Sequence, residues 1–373
     1  MSILLGGKMN FQQQSTQGLE KYISLDCDLS VNGNVYPAIN IVEQLSRYHS
    51  DLTPQFLFNK IATDHFSSPL TEDIQLNKLA LIKTKANFTL IDRAGWQSDS
   101  LFKEYSKYKN DSFLGTGDPI ILLHPSIFSG LIDEKTEMLY QFDGMHRVMS
   151  AIEAGMSSLD AFVIVRRQDL GKLLPQKVKE HIFNAGGKCT WFPRYQEIRE
   201  VRLDGQRVQE PRYTEIYDFS FLKDKVVVDF GGNIGQAAIE AYFNGVDEFY
   251  NFDMQECALE TAEKIFKVLN MTNFSNHFID FNLTTFEKDS SKIIPEWDWC
   301  IFQAIYRTKE LIDIEKIFKY VVDHTREGII FEGNGDLHID TEEFYYNIFK
   351  PFKFSDVKFL GRSQQRPAFL ITK

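Results

Sequence analysis

The segment that most constrains the fold of this chain is 226–235, which reads Val-Val-Val-Asp-Phe-Gly-Gly-Asn-Ile-Gly. Its first half is mostly apolar and β-branched, which predicts a buried strand, and its glycines predict a sharp turn into a helix. The first turn of a helix presents unpaired N–H groups and the positive end of the helix dipole. This order of strand, glycine turn and helix predicts an open α/β sheet with a ligand at the carboxyl end of the strand.

Strand and helix patterns alternate from residue 223 to the end of the chain. The predicted strands are Val226–Phe230, Glu248–Phe252, His277–Phe281, Asp298–Gln303, Gly328–Glu332, Val357–Leu360 and Ala368–Ile371. The predicted helices are Ile234–Phe243, Glu256–Leu269, Glu310–Val322 and Glu342–Phe349. Because only a polar loop separates the last two strands, we expect a hairpin that makes one strand antiparallel to the others. The pattern therefore predicts a doubly wound α/β sheet of seven strands.

The glycine turn resembles motif I of the Rossmann-like methyltransferases that use S-adenosylmethionine (SAM). Asp229, Gly231, Asn233 and Gly235 occupy the positions of the motif, and Asn233 stands where the family often has glycine. The resemblance covers about 223–373 and implies a class I methyltransferase with SAM as its cofactor. The cofactor-binding residues that it implies are Asp229, Gly231, Gly232, Asn233, Gly235, Asp253, Met254, Asp280, Phe281 and Gln303.

Three of these residues lie at or next to the carboxyl ends of predicted strands, where ligands bind in open α/β sheets. By the resemblance, Asp253 would bind the ribose hydroxyls, Asp280 would lie near the exocyclic amine of adenine, and Gln303 would lie beside the methionine part. An NAD-binding domain and a degenerate fold without a cofactor are the alternatives. The absence of a G-x-G-x-x-G pattern disfavours NAD.

The groups that act on the methyl acceptor are less constrained. Tyr306 follows the fourth strand, and Glu332 and His338 flank a glycine-rich loop after the fifth, so these three are the catalytic candidates. A carboxylate or histidine there could accept a proton from an O–H or N–H nucleophile. A solvated loop whose side chains cap the next helix is an equally open interpretation. Methyl transfer depends mainly on alignment, so a missing triad does not argue against an enzyme.

The charge and the missing motifs indicate a small-molecule acceptor for O- or N-methylation. The formal net charge of −11 argues against a nucleic-acid-binding face. The segment after the fourth strand has no Pro-Pro-Tyr pattern, and no cysteine follows a proline, unlike the amino-directed and cytosine-C5 DNA enzymes that this fold resembles. Methylation of tRNA or DNA and a non-catalytic cofactor sensor stay as alternatives.

A second motif, Asp143-Gly144-Met145-His146-Arg147, lies between a predicted strand at Met138–Phe142 and a predicted helix at Val148–Ala154. Strands are also predicted at Ile120–Leu123 and Ala161–Val165. The stretch of about 115–167 resembles the ParB/sulfiredoxin-like fold.

By this second resemblance, Asp143, Gly144, His146 and Arg147 would bind a phosphate or a nucleotide such as ATP. A bifunctional enzyme whose N-terminal domain is an ATP-dependent small-molecule kinase is therefore an alternative, with Glu43 as a candidate base. The other interpretation is that Asp143 caps the helix and pairs with Arg147 on the surface.

The chain has 373 residues, so two domains are expected at about 100–200 residues each. We predict an α+β ParB-like domain with an N-terminal extension at 1–170, a connector at 171–222 and the methyltransferase domain at 223–373.

The cysteines and the apolar runs bear on the compartment. The cysteines Cys27, Cys189, Cys257 and Cys300 are far apart and form no CxxC pattern, so we expect free thiols and no metal site. The longest apolar stretch, 120–132, is interrupted by His124 and Pro125, so we expect a cytoplasmic protein without a membrane partner.

Overall fold

The computed structural model describes residues 35–48, 51–70, 73–92, 118–128, 139–173, 178, 180–182, 195–281, 283–308, 311 and 313–373. These residues belong to two compact units, one that ends by residue 175 and one that follows it. The predicted strand start at Met138, the predicted helix start at Glu310 and residues 183–194 of the predicted connector lie outside the described residues.

The first unit contains a six-stranded mixed sheet. Its strands are β1 (Val35–Pro37), β2 (Leu79–Asn87), β3 (Ile91–Asp92), β4 (Ile120–Leu123), β5 (Leu139–Asp143) and β6 (Ser158–Arg166), in the order β1-β2-β6-β4-β5-β3. Its helices are α1 (Ile41–Tyr48), α2 (Pro54–Phe66), α3 (Met145–Glu153) and α4 (Arg167–Leu173). Strand β4 is buried along its whole length because it lies between β6, which is parallel to it, and β5, which is antiparallel. The strands and the helix predicted within 120–165 are confirmed.

The second unit contains a seven-stranded sheet. Its strands are β7 (Val226–Phe230), β8 (Glu248–Asp253), β9 (Phe274–Phe278), β10 (Trp297–Gln303), β11 (Thr325–Glu332), β12 (Asp356–Ser363) and β13 (Arg366–Thr372). The order is β12-β13-β11-β10-β7-β8-β9, and β13 is antiparallel to both of its neighbours while the other pairs are parallel. The predicted seven strands and closing hairpin are confirmed.

Helices pack around this sheet, and five of them have bounds within the described residues. They are α5 (Gln236–Phe243), α6 (Glu256–Val268), α7 (Leu283–Ile293), α8 (Ile314–His324) and α9 (Glu342–Phe349). Helix α7 was not predicted, because Thr and Ser make up four of its eleven residues and are weak helix formers. Strand β9 lies three residues before its predicted position, since this edge strand reads Phe-Ser-Asn-His-Phe and only Phe274 in it is buried.

Residues 195–222 of the predicted connector belong to the second unit. We call 195–217 the leading segment. It folds back on itself through the bridges Gln196–Arg207 and Ile198–Leu203, and the second bridge encloses a turn at 199–202. Its contacts with the sheet are part of the candidate site.

Two findings concern the cysteines and the length of the apolar helices. Among the described cysteines, Cys300 is a buried free thiol and Cys257 is disulfide-bonded, so the expectation of four free thiols is wrong for Cys257. Within the described ranges, no helix is both long and apolar enough to cross a membrane.

Glycine at position 235 is required by both conformation and space. Gly235 has a φ of +87°, and an added Cβ would lie 2.7 Å from the Phe266 ring. We expect Gly235→Ala to lower the free energy of unfolding by about 2–4 kcal/mol, because left-handed strain adds to overpacking. Urea denaturation measures this effect. Gly335→Ala is the control, because the added Cβ would lie at an ordinary contact distance of 3.7 Å from Arg366. We expect that variant to change the free energy of unfolding by less than about 0.5 kcal/mol. Equal effects of the two variants would contradict the prediction.

Candidate functional site

The glycine turn joins the ends of β7 and β8. Gly231 and Asn233 have φ values of +82° and +61°, and the Gly231 N–H donates to the Phe252 carbonyl at 2.8 Å. The Asn233 N–H donates to Asp253 Oδ2 at 2.9 Å. These bonds fix the turn against the second strand and hold Asp253 beside it.

Asp253 is buried at the end of β8 and is held by backbone donors. Its Oδ2 accepts from the Asn233 N–H, and its Oδ1 accepts from the Gln255 N–H at 2.9 Å. Burial raises the pKa of Asp253 to about 6, against the opposing effect of these hydrogen bonds. Each carboxylate oxygen has a second lone pair, so Asp253 can still accept from a ligand hydroxyl. The neighbouring Met254 is exposed.

Four buried polar atoms of the second unit have no hydrogen-bond partner among the described residues. They are Asn233 Oδ1, Asn251 Oδ1, Gln303 Nε2 and Arg212 Nε. Asn233 is on the turn, Asn251 on β8, Gln303 at the end of β10 and Arg212 in the leading segment. Buried polar groups are normally paired. Two acceptors and two donors around one sheet edge therefore match a polar ligand that carries both kinds of group.

Gly232 leaves the space that this arrangement needs. An added Cβ there would lie 1.9 Å from Asn251 Oδ1 and 2.5 Å from Asp229 Oδ2. Because both neighbours are side chains buried at the turn, only glycine fits at this position.

Glu332 lies at the end of β11 with no solvent exposure. Its Oε1 accepts from Arg207 Nη2, and its Oε2 accepts from the Tyr217 hydroxyl at 2.9 Å. Arg212 Nη2 lies 3.3 Å from Oε2, and Arg366 Nη1 lies 3.6 Å from Oε1. Both oxygens are engaged by donors, so Glu332 holds arginines in place and is not free to accept a substrate proton.

Arg212 connects the leading segment to the sheet and to α5. Its Nη2 donates to Gln303 Oε1 at 2.6 Å, and its Nη1 donates to Gln236 Oε1 at 2.8 Å. Gln236, the first residue of α5, donates from Nε2 to the Arg207 carbonyl at 2.7 Å, and its N–H donates to Gln196 Oε1 at 3.2 Å. The leading segment therefore completes the site around Gln303.

The other predicted residues lie in different surroundings. Tyr306 packs against Phe318 and Tyr345, with ring centroids 5.6 and 6.3 Å apart, and burial raises its pKa to about 12. This placement gives Tyr306 a packing role. His338 is exposed on the loop after β11, where its backbone N–H donates to Asp336 Oδ1 at 3.0 Å.

The residues after β9 are divided between surface and core. Asp280 is exposed at the sheet edge. Phe281 is buried, and its ring packs 5.5 Å from that of Phe286. The Ile279 N–H donates to the Asp253 carbonyl at 3.1 Å. Asp280 is the residue after Ile279, so its backbone is held near the end of β8.

The turn predicted to bind phosphate in the first unit is engaged internally. Arg147 Nη2 lies 3.0 Å from Asp143 Oδ2, and both side chains are nearly buried. Arg147 Nη1 also donates to the carbonyls of Asp118 and Pro119, at 2.6 and 2.9 Å. Gly144, with a φ of +91°, is the N-cap of α3. The pair of Asp143 and Arg147 is thus present, but in the interior instead of on the surface.

Glu43 and His146 complete the expectations for the first unit. Glu43 is exposed on α1 and pairs with Arg47 at 2.9 Å. His146 lies in the first turn of α3 and is partly buried.

Sequence reasoning missed Arg212, Gln236 and Arg366. Their partners lie far along the chain, and no local motif marks them.

Asp229 gives the unit a specific pH dependence. Its carboxyl group is 2% exposed, and burial raises its pKa to about 8, while Arg212 opposes the shift. A raised acid pKa means that the folded protein holds a proton that the unfolded chain has lost. Stability therefore falls as pH rises towards the folded pKa, by about 1 kcal/mol per pH unit.

We expect the Asp229→Asn variant to lose this slope. Urea denaturation between about pH 6.5 and about pH 8 measures the slope. Asp253, with a pKa of about 6, is mostly ionised throughout this range and therefore contributes little to the slope. A variant as pH-dependent as the wild type would show that Asp229 is already ionised in the folded protein.

Comparisons with known proteins give partial likenesses. No family model and no curated protein matches the chain. It is similar to the structure of a Streptococcus mutans protein named as a SAM-dependent methyltransferase, at 15% identity and a TM-score of 0.34, over 41% of this chain and 45% of that one. It therefore spans less than half the length of that protein.

Two further solved structures have S-adenosylhomocysteine in their descriptions. One is magnesium protoporphyrin IX methyltransferase from Synechocystis PCC 6803, at 14% identity and a TM-score of 0.32, over 41% of this chain and 75% of that one. The other is the N-terminal domain of EvdMO1 in the presence of S-adenosylhomocysteine and D-fucose, at 14% identity and a TM-score of 0.39, over 53% and 97%.

Proposed function

We propose that the second unit is a class I SAM-dependent methyltransferase. The observation that carries the proposal is the glycine turn at 231–235, bound to Asp253 at the same sheet end as four buried polar atoms that have no hydrogen-bond partner among the described residues. The turn lies at the carboxyl edge of parallel strands, where open α/β sheets bind ligands. The strand order with its antiparallel β13 is also the order that the motif resemblance implies.

The residues at the turn fit the cofactor. Asp253 would accept from the ribose hydroxyls, and Asp280 would lie on the adenine side. Gln303 Nε2 and Arg212 Nε are donors without partners, which suits the carboxylate of the methionine part. SAM supplies a methyl group that is already activated by its positively charged sulfur.

The chain's own task is then to align the acceptor and to exclude water. The nucleophile is an O–H or N–H of a small molecule, and its proton leaves to solvent or to a base on the loop after β11. His338 is exposed on that loop, whereas Glu332 is engaged by arginines. The net charge of −11 supports a small-molecule acceptor over a nucleic acid.

Binding of S-adenosylhomocysteine tests the proposal. We expect isothermal titration calorimetry to show binding to the wild type and a loss of about 10- to 100-fold in affinity for Asp253→Ala. The loss follows from removing hydrogen bonds to a charged acceptor, worth about 1.5–3 kcal/mol.

Asp247→Ala is the matched control. Asp247 is an exposed carboxylate just before β8, so the change is at the opposite end of the same strand and should leave the affinity unchanged. Absence of binding by the wild type would reject the proposal.

For the first unit we propose the ParB/sulfiredoxin-like fold. The order of strand, Asp-Gly-x-His-Arg turn, helix and strand at 139–166 supports it. Nucleotide binding there would depend on the backbone of the turn, because Arg147 is engaged by Asp143 and by two carbonyls.

A further inference from the structure

We infer that the methyl acceptor carries an oxyanion, a carboxylate or a phosphate group, that binds to Arg366. The inference rests on the proposed function and names the substrate class of that site. We call Arg207, Arg212 and Arg366, which surround Glu332, the arginine cluster.

The arginine cluster contains more positive charge than the protein neutralises. Three guanidinium groups lie within 4 Å of one carboxylate, Glu332. The nearby Asp229 does not balance the excess, since burial keeps its carboxyl group largely protonated at neutral pH. Buried charges are costly unless they are paired. In a chain with a net charge of −11, this excess of positive charge calls for anionic ligands. The cofactor carboxylate proposed at Arg212 would neutralise one of the two excess charges, and Arg366 is left for a second anion.

The donors of the cluster are unequally committed. Arg207 donates to Gln364 Oε1 at 2.8 Å as well as to Glu332, and both terminal nitrogens of Arg212 donate to glutamine oxygens. Arg366 Nη1 donates to the Tyr195 hydroxyl at 3.2 Å. Its Nε and Nη2 have no partner within the part of the chain that the structure describes.

Exposure distinguishes the same residue. The side chain of Arg366 is 20% exposed, compared with 6% for Arg207 and 4% for Arg212. Arg366 is thus the member that can present two adjacent N–H donors to an incoming ligand. A guanidinium edge of this kind matches the two oxygens of a carboxylate or a phosphate.

The position of Arg366 places the anion on the acceptor side. Arg366 is the first residue of β13, and the Gly333 N–H donates to the carbonyl of the next residue, Pro367, at 2.8 Å. Glu332 is paired in register with Gln303, whose free Nε2 lies at the proposed methionine end of the cofactor. An oxyanion on Arg366 would therefore hold the rest of the acceptor next to the transferable methyl group.

The experiment is a calorimetric titration of the full chain saturated with S-adenosylhomocysteine. The probes are inorganic phosphate, benzoate and, as a neutral analogue of benzoate, benzamide. We expect one of the two anions to bind and benzamide not to bind, and the stronger anion distinguishes a phosphate from a carboxylate acceptor. Arg366→Gln should weaken that binding about tenfold or more, because two charge-assisted hydrogen bonds are lost.

Arg326→Gln is the matched control. Arg326 lies near the start of β11, at the opposite edge of the sheet, where it pairs with Glu296 on the surface. The Arg326→Gln variant should bind the anion with the affinity of the wild type. Both Arg326→Gln and Arg366→Gln should retain S-adenosylhomocysteine binding.

Three results would overturn the inference. Equal anion affinity of Arg366→Gln and the wild type would remove Arg366 from the site. Anion binding that occurs only without S-adenosylhomocysteine would assign the cluster to the cofactor's own carboxylate. Binding of S-adenosylhomocysteine without binding of either anion would reject the anionic acceptor and leave the methyltransferase proposal standing. No binding of S-adenosylhomocysteine would reject both proposals.

Discussion

The buried carboxylate of Glu332 is the interaction on which the second unit's site depends. It lies at the end of a central strand and binds groups from two separate parts of the chain, namely Arg207 and Tyr217 in the leading segment and Arg366 in the closing hairpin. Removing the Glu332 carboxylate would leave the buried Arg207 and Arg212 uncompensated, which is strongly destabilising. The carboxyl edge of the sheet is therefore shaped by ion pairing as well as by the apolar core beneath it.

The apolar core explains why that edge is rigid. The inner strands carry large buried side chains such as Phe230, Phe252 and Phe302, and the rings of Phe230 and Phe252 stack 5.0 Å apart. Strands held in this way bring Asp253 and Gln303 to fixed positions at their carboxyl ends. Groups placed on such strands are held more precisely than groups on loops.

The fold could be predicted from the sequence where the signal is local. Strand β7 and helix α9 have their predicted bounds, since β7 is apolar on both faces and α9 begins after Thr341, whose hydroxyl accepts from the Phe344 N–H. The glycine turn and Asp253 were found because motif and spacing are also local. The partners of Glu332 could not be found in this way, because Arg207 is 125 positions distant in sequence and no periodicity links the two. The packing of Tyr306 was missed for a similar reason, since its neighbours come from other elements.

The contact between Gln196 and α5 has a consequence for the class of nucleotide that this turn can accept. In dinucleotide-binding sheets, a pyrophosphate occupies the N-terminus of the helix that follows the glycine turn. Here the Gln236 N–H at that position already donates to Gln196 Oε1, a neutral amide supplied by the leading segment. Gln196 Nε2 also donates to the Gly232 carbonyl at 3.4 Å, which closes the space in front of the helix. The leading segment thus occupies a donor that a diphosphate would use, which agrees with the proposed cofactor, because SAM is a nucleoside that carries no phosphate.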